Sequence, residues 1–291
     1  GFPQMHEHYT MALPGITDWT GFPASGKSEI LLELLLNTSL FYGWKHLLFV
    51  PDVGEKNEVL GILIHKLCGK TFDKRYVNTN YITEAETMKH LQWILEHFKI
   101  IHQIDLKSKI TPYEFWDFAA QMKIDCKGDL HTATIDSWKD LRHGIAPDGT
   151  QFGRDDKYLE DVLSYRNLMS EHHKMHFHTV IHPTKTDADK DGNRKAPTPY
   201  DLKGGSEWYN NGKCMITVHR TSGTTNEVDF MVTKAKPKSV AKVGKVTKYF
   251  DLTKNKFYWI NENNNRVYAQ KEHQEIKATL IDEDDDNDLP F

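Results

Sequence analysis

Apolar residues along this chain fall in short blocks, and most gaps between the blocks carry apolar positions at helical spacing. The blocks at 16–20, 45–50, 131–136, 175–181, 213–219 and 227–233 are four to seven residues long and rich in β-branched or aromatic side chains, so they predict strands. Helices are predicted over 29–36, 55–68, 83–100, 113–122 and 156–172. In 55–68 the apolar positions are Val59, Leu60, Leu63, Ile64 and Leu67; in 83–100 they are Met88, Leu91, Ile94, Leu95 and Phe98. Thr111-Pro112 is a start signal for the helix that follows it. Residues 246–250 and 257–260 predict a hairpin across 251–256. Strands alternating with helices indicate an α/β fold, with a largely parallel central sheet flanked by helices and a C-terminal β-hairpin. Residues 1–14 read as a lead-in segment, 15–262 as the folded domain, and 263–291 as a flexible acidic tail, since periodicity is lost from about residue 271. Because the chain begins with Gly1, upstream segments are expected to be missing.

Candidate chemistry follows the first strand. Gly21-Phe22-Pro23-Ala24-Ser25-Gly26-Lys27-Ser28 is G-x-x-x-x-G-K-S, a phosphate-binding loop between a strand and a helix. Its backbone N–H groups would cradle phosphates at a helix N-terminus, with Lys27 reaching the β- and γ-phosphates and Ser28 holding Mg²⁺. ATP and Mg²⁺ are the expected ligands. In open α/β sheets, ligands sit at the carboxyl ends of the strands. Asp52, Asp136 and His182 each stand at such an end. Asp136 is the candidate second acid for the Mg²⁺ shell, with a helix-capping aspartate as the alternative. Asp52, with Glu55 and Glu58 close behind, is the candidate to orient an attacking water, or it is a turn acid. His182 could hydrogen-bond the γ-phosphate, or it is a capping or packing histidine.

Composition narrows the class. The chain is 291 residues long, 38% hydrophobic and 27% charged, as in ordinary globular proteins. No run approaches the roughly 18–20 apolar residues of a membrane span, so no membrane partner is expected. Cys68, Cys126 and Cys214 are scattered, as reduced cysteines of a cytoplasmic protein would be. His172, His173, His176 and His178 cluster without zinc-site spacing, so no structural metal is expected. Net charge is −4, but six acids lie within 282–288, which leaves a slightly basic body. Six lysines and no acid occupy 234–248, a composition suited to phosphates or to a solvated face.

With these residues identified, a resemblance becomes specific. The order is the phosphate loop, Phe49-Val50-Pro51-Asp52, Ala133-Thr134-Ile135-Asp136-Ser137-Trp138 and Val180-Ile181-His182-Pro183-Thr184-Lys185. Tyr200-Asp201-Leu202-Lys203-Gly204-Gly205-Ser206, Val218-His219-Arg220 and Val232-Thr233-Lys234-Ala235-Lys236 follow. Over about residues 10–260 the chain resembles the ATPase domain of DnaB/Twinkle-type replicative helicases, and more closely the primase–helicase proteins of phages and Bacteroidetes-type bacteria. The resemblance implies a RecA-like fold and a DNA helicase that forms rings, usually hexamers, around single-stranded DNA in the cytoplasm of a bacterial or phage-infected cell. It implies ATP between subunits, with Asp136 as the Walker B acid, His182 as the γ-phosphate sensor and Arg220 near the nucleotide. Lys234 and Lys236 would project into the next subunit's site.

Two positions depart from that pattern. Lys236 stands where the family usually has an arginine finger, and lysine lacks the planar fork. Asp52 stands where the family usually has a glutamate. A RecA-fold recombination or partition ATPase, and a nucleotide-switched loader or scaffold with little turnover, therefore remain as alternatives. The segment 185–200, with Lys185, Lys190, Asn193, Arg194 and Lys195 among Asp187, Asp189 and Asp191, reads as a loop for DNA phosphates or as plain surface. The terminal Asp288-Leu289-Pro290-Phe291 resembles the tip of bacterial single-stranded DNA-binding proteins and would dock on a replication protein.

Overall fold

The computed structural model describes residues 1–76, 80–102, 109–184, 194–220 and 225–270. Their centre is a parallel sheet formed by β1 (Gly15–Thr20), β2 (His46–Phe49), β3 (Phe98–Ile101), β4 (Thr132–Asp136), β5 (His176–Ile181) and β6 (Cys214–His219). These run in the order β6-β1-β5-β4-β2-β3. Antiparallel strands β7 (Glu227–Ala235), β8 (Gly244–Asp251), β9 (Lys256–Ile260) and β10 (Arg266–Tyr268) extend the sheet beyond β6. The strands expected from the apolar blocks form, as does the β8–β9 hairpin.

Helices cover both faces. α1 (Lys27–Tyr42) and α2 (Lys56–Cys68) lie on one face, with α3 (Glu84–His97) packed against α2. α4 (Pro112–Asp125), α5 (Asp155–His173) and α6 (Gly205–Asn211) lie on the other. α1 is apolar nearly all round because it is enclosed between sheet and neighbours: Ile30, Leu31, Leu32, Leu34, Leu35 and Leu36 are all buried. A helix with such a profile belongs in an interior. Two helices start as the sequence indicates. Thr83 and Thr111 cap α3 and α4 in reciprocal boxes with Glu86 and Glu114.

Three expectations are corrected. The helix expected over 83–100 stops at His97, and Phe98–Ile101 becomes the edge strand β3, paired in parallel with β2. Residues 1–14 are no loose lead-in, because Phe2, Met5 and Tyr9 are buried in the core under α1. The region expected as tail from 263 begins inside the sheet, since β10 pairs with β9 through Val267 and Trp259. The acidic terminus from 271 lies outside the described residues.

Candidate functional site

β1 delivers the chain to Gly21, where a sharp turn starts the phosphate loop. Gly21 has φ +152°, and a Cβ there would stand 2.2 Å from the Val218 carbonyl oxygen of β6. Glycine is required because the loop passes against that backbone. Gly26, with φ +95°, is the N-cap of α1 and supplies no side-chain cap. The first-turn N–H groups of α1 are thus free to meet an anion.

The side chains of the loop converge on the same spot. Lys27 is 5% exposed, and its Nζ donates to the carbonyls of Gly21 at 2.9 Å and Phe22 at 2.8 Å. Ser28 Oγ donates to Asp136 Oδ2 at 2.5 Å. Ser25 Oγ and Asp136 Oδ1 are buried and find no partner among the described residues. Burial raises the Asp136 carboxyl to about 6 against the pull of Ser28 and Lys27. Burial also lowers Lys27 to about 8, against the attraction of Asp136 and Asp52. Orphaned buried oxygens beside a buried ammonium are costly unless a ligand completes them. A phosphate chain with Mg²⁺, a hard cation that takes oxygen ligands, fits this donor set, and Ser28 and Asp136 would hold the metal.

The neighbouring strand ends bring the remaining groups. Asp52 follows β2, and its backbone N–H donates to the Asp136 carbonyl at 3.3 Å. Asp52 Oδ2 lies 3.2 Å from His182 Nε2, and Oδ1 accepts from Lys139 Nζ at 2.8 Å. Burial favours protonation of Asp52, but Lys139 and His182 together hold the carboxyl below its usual range. Burial, with Lys27 and Lys139 nearby, lowers the His182 imidazole despite Asp52. The structure therefore brings together the phosphate loop, Asp136, Asp52 and His182, all four of them candidates from the sequence. Lys139 is a member of the site that sequence reasoning misses; the available signal is a cation three residues past a strand-terminal acid.

Other expected residues lie further out. Arg220 follows β6 on the same sheet edge and donates through its guanidinium to the Thr225 carbonyl at 2.7 Å. Arg194, from the expected DNA-contacting segment, sits 5.1 Å over the Phe22 ring of the phosphate loop. Lys185, Lys190 and Asn193 fall outside the described residues. Lys234 and Lys236 are not at the phosphate loop. Lys234 pairs across from Met215, itself paired with Asp18 of β1, which puts both lysines toward the opposite edge of the sheet. Lys234 is 5% exposed rather than projecting, and its Nζ donates to the Tyr209 carbonyl in the last turn of α6 and stacks over the Tyr209 ring. A cation is favoured at a helix C-terminus. Lys236 is exposed. Lys139 and His182 also line a cavity of about 960 Å³ whose floor includes Tyr158, Gly204 and Trp208.

No protein-family model matches the chain. It is 24% identical over 260 residues to the Twinkle homolog protein, chloroplastic/mitochondrial, of Arabidopsis thaliana, matching 87% of this chain and 35% of that protein. The chain thus spans about a third of the length of that curated relative. Among solved structures it is similar to an ATPase domain of the DnaB-like replicative helicase group, with a TM-score of 0.69, 16% identity, and coverage of 88% of this chain and 89% of that one. It is also similar to a DnaB-like replicative helicase solved for its interactions with primase, with a TM-score of 0.68, 16% identity, and coverage of 88% and 62%. The expected resemblance is therefore found in both sequence and structure, and the fold of this chain is that of DnaB-like helicase ATPase domains.

Proposed function

We propose that the chain is the ATP-hydrolysing core of a replicative DNA helicase, coupling turnover at subunit interfaces to movement along single-stranded DNA. The observation that carries this reading is the convergence of Lys27, Ser28, Asp136, Asp52 and His182 at one sheet edge, with Ser25 Oγ and Asp136 Oδ1 left unpartnered there. Gly21 to Ser28 would wrap the phosphates of ATP, and Lys27 would exchange its two loop carbonyls for phosphate oxygens. When bound, Mg²⁺ neutralises charge on the β- and γ-oxygens. Asp52 would align the attacking water and accept its proton, while His182 would contact the γ-phosphate. Arg220 would sit beside the nucleotide.

Completion in trans is part of the proposal. Lys236, exposed on the far edge of the sheet, would reach the γ-phosphate of a neighbouring copy in a hexameric ring, with Lys234 behind it as a buried support. Its single ammonium would stabilise transition-state charge less well than a forked guanidinium. Arg194, Lys195 and the adjoining 185–193 segment would contact DNA phosphates, making binding salt dependent and largely blind to sequence. The acidic Leu-Pro-Phe terminus would dock on a basic, apolar pocket of a replication protein. Among the described residues no helix is long and apolar enough to cross a membrane.

A forked DNA substrate with a single-stranded tail tests the reading. ATP-dependent strand separation, together with closed rings in solution, is expected. ATP-dependent open filaments would replace it with the recombination or partition reading. ATP binding with neither unwinding nor DNA-dependent turnover would replace it with the nucleotide-switched scaffold.

A further inference from the structure

The side chain that completes the Asp52 environment belongs to a residue outside the phosphate loop and its expected partners. Lys139 lies in the short turn Trp138–Asp140 that leaves β4 just after Asp136. That turn is rigid at its base. Ser137 N–H and Oγ both donate to Asp140 Oδ2, at 3.2 and 2.8 Å, closing a reciprocal cap. The Trp138 indole packs against the rings of Trp116, Trp208 and His143. The backbone of Lys139 is therefore fixed, while its ammonium, on a side chain 56% exposed, reaches out to Asp52.

Asp52 has the opposite character. Its side chain is one-third exposed, in the turn after β2. Its carboxylate is held by polar contacts, Lys139 on one oxygen and His182 on the other. The other cations of the site cannot substitute. Lys27 is folded onto the loop carbonyls and is the phosphate lysine of the motif, and Lys236 lies toward the far edge of the sheet. An aspartate also has one methylene less reach than the glutamate usual at this position, so its orientation matters more. A base that must meet a water within hydrogen-bond reach is sensitive to small displacements.

We propose that Lys139 is a positioning residue for ATP hydrolysis: it clamps one oxygen of Asp52 from a rigid turn and so fixes the carboxylate that aligns the attacking water. The proposal rests on the reading of Asp52 as the water-aligning acid. Lys139 acts through Asp52 and does not bind the phosphates itself. A lysine is sufficient here, because a single point charge on one carboxylate oxygen leaves the second oxygen available.

The test is steady-state ATP turnover of the full chain with Mg²⁺ and single-stranded DNA, for Lys139→Met, Lys139→Arg, Asp52→Asn and the double variant Asp52→Asn/Lys139→Met. Lys139→Met is expected to lower kcat on the order of tenfold with KM for ATP within about twofold, and Lys139→Arg to recover most of the loss. In the Asp52→Asn background, Lys139→Met is expected to cost nothing further. A raised KM with unchanged kcat would overturn the proposal and make Lys139 a phosphate ligand. Losses that multiply in the double variant would also overturn it, because Lys139 would then act independently of Asp52. The two failures separate cleanly. If Asp52→Asn keeps wild-type turnover, the reading of Asp52 is wrong; if Asp52→Asn is inactive and Lys139→Met is unaffected, only the clamp is wrong. Melting temperatures of all variants, with Lys139→Gln as a second neutral replacement, identify any loss due to folding.

Discussion

The strand that leads into the phosphate loop carries a buried ion pair, and removing one partner should be expensive. Asp18 of β1 and Arg166 of α5 are both fully enclosed, with Arg166 donating to Asp18 Oδ1 at 2.5 Å and Oδ2 at 3.2 Å. The guanidinium also donates to Thr179 of β5 at 3.0 Å and lies 5.6 Å over the Trp208 ring. One arginine thus ties β1, β5 and α6 together beneath the site. Burial raises the Asp18 carboxyl even with Arg166 beside it, so the carboxylate depends on this partner. The nearby Lys234 cannot take over, since its ammonium is bonded to the end of α6. Arg166→Leu should therefore cost about 3–5 kcal/mol, the usual penalty for an uncompensated buried charge. Replacing both members, Asp18→Leu with Arg166→Leu, should recover most of that loss, because the desolvation penalty disappears with the charges. Equilibrium denaturation in urea, followed by tryptophan fluorescence, measures both. A loss below about 1 kcal/mol for Arg166→Leu, or a double variant as unstable as the sum of the singles, would refute the reasoning.

Other outcomes follow from the same geometry. Gly21→Ala forces a Cβ against the Val218 carbonyl and should weaken ATP binding about tenfold, from about 1–3 kcal/mol of local strain, read by titration with a fluorescent ATP analogue; unchanged affinity would contradict the close approach. His176 is buried, and since the Ala12 carbonyl can only accept, Nδ1 carries the proton and Nε2 accepts from Thr17, a neutral arrangement. Burial lowers this imidazole to about 4, so the unfolded chain takes up the proton first. The stability held above about pH 6.5 is then lost as pH falls toward 4, by about 3 kcal/mol. Relative to His176→Gln, the wild type should lose that amount between pH 7 and 4 in urea titrations; parallel pH profiles would contradict it. Asp136→Asn should abolish Mg²⁺-dependent turnover while leaving the melting temperature within a few degrees, and retained turnover would remove Asp136 from the metal shell.

Much of this fold is legible in the sequence because parallel strands buried on both faces read as continuous apolar runs, and each ends where polarity returns. Asp52, Asp136 and His182 stand out for that reason alone, without knowledge of any contact between them. β3 is hidden because Phe98, Ile100 and Ile101 continue the apolar spacing of α3, so periodicity alone does not mark where helix gives way to strand. α6 escapes notice because seven residues with two asparagines and a leading glycine offer little pattern. The role of residues 1–14 depends on tertiary contacts, as Phe2 and Tyr9 gain meaning only once α1 and the sheet are folded above them. The inward turn of Lys234 and the reach of Lys139 to Asp52 depend on side-chain geometry between elements far apart in the chain, which spacing does not encode.

The central claim is that this phosphate loop drives a DNA-dependent motor. The most direct measurement is the rate of ATP hydrolysis with and without single-stranded DNA, for the wild type and Lys27→Ala side by side. The account predicts turnover that rises with DNA, falls with increasing salt as phosphate contacts are screened, and disappears in Lys27→Ala. Turnover indifferent to DNA, or unchanged in Lys27→Ala, would contradict it.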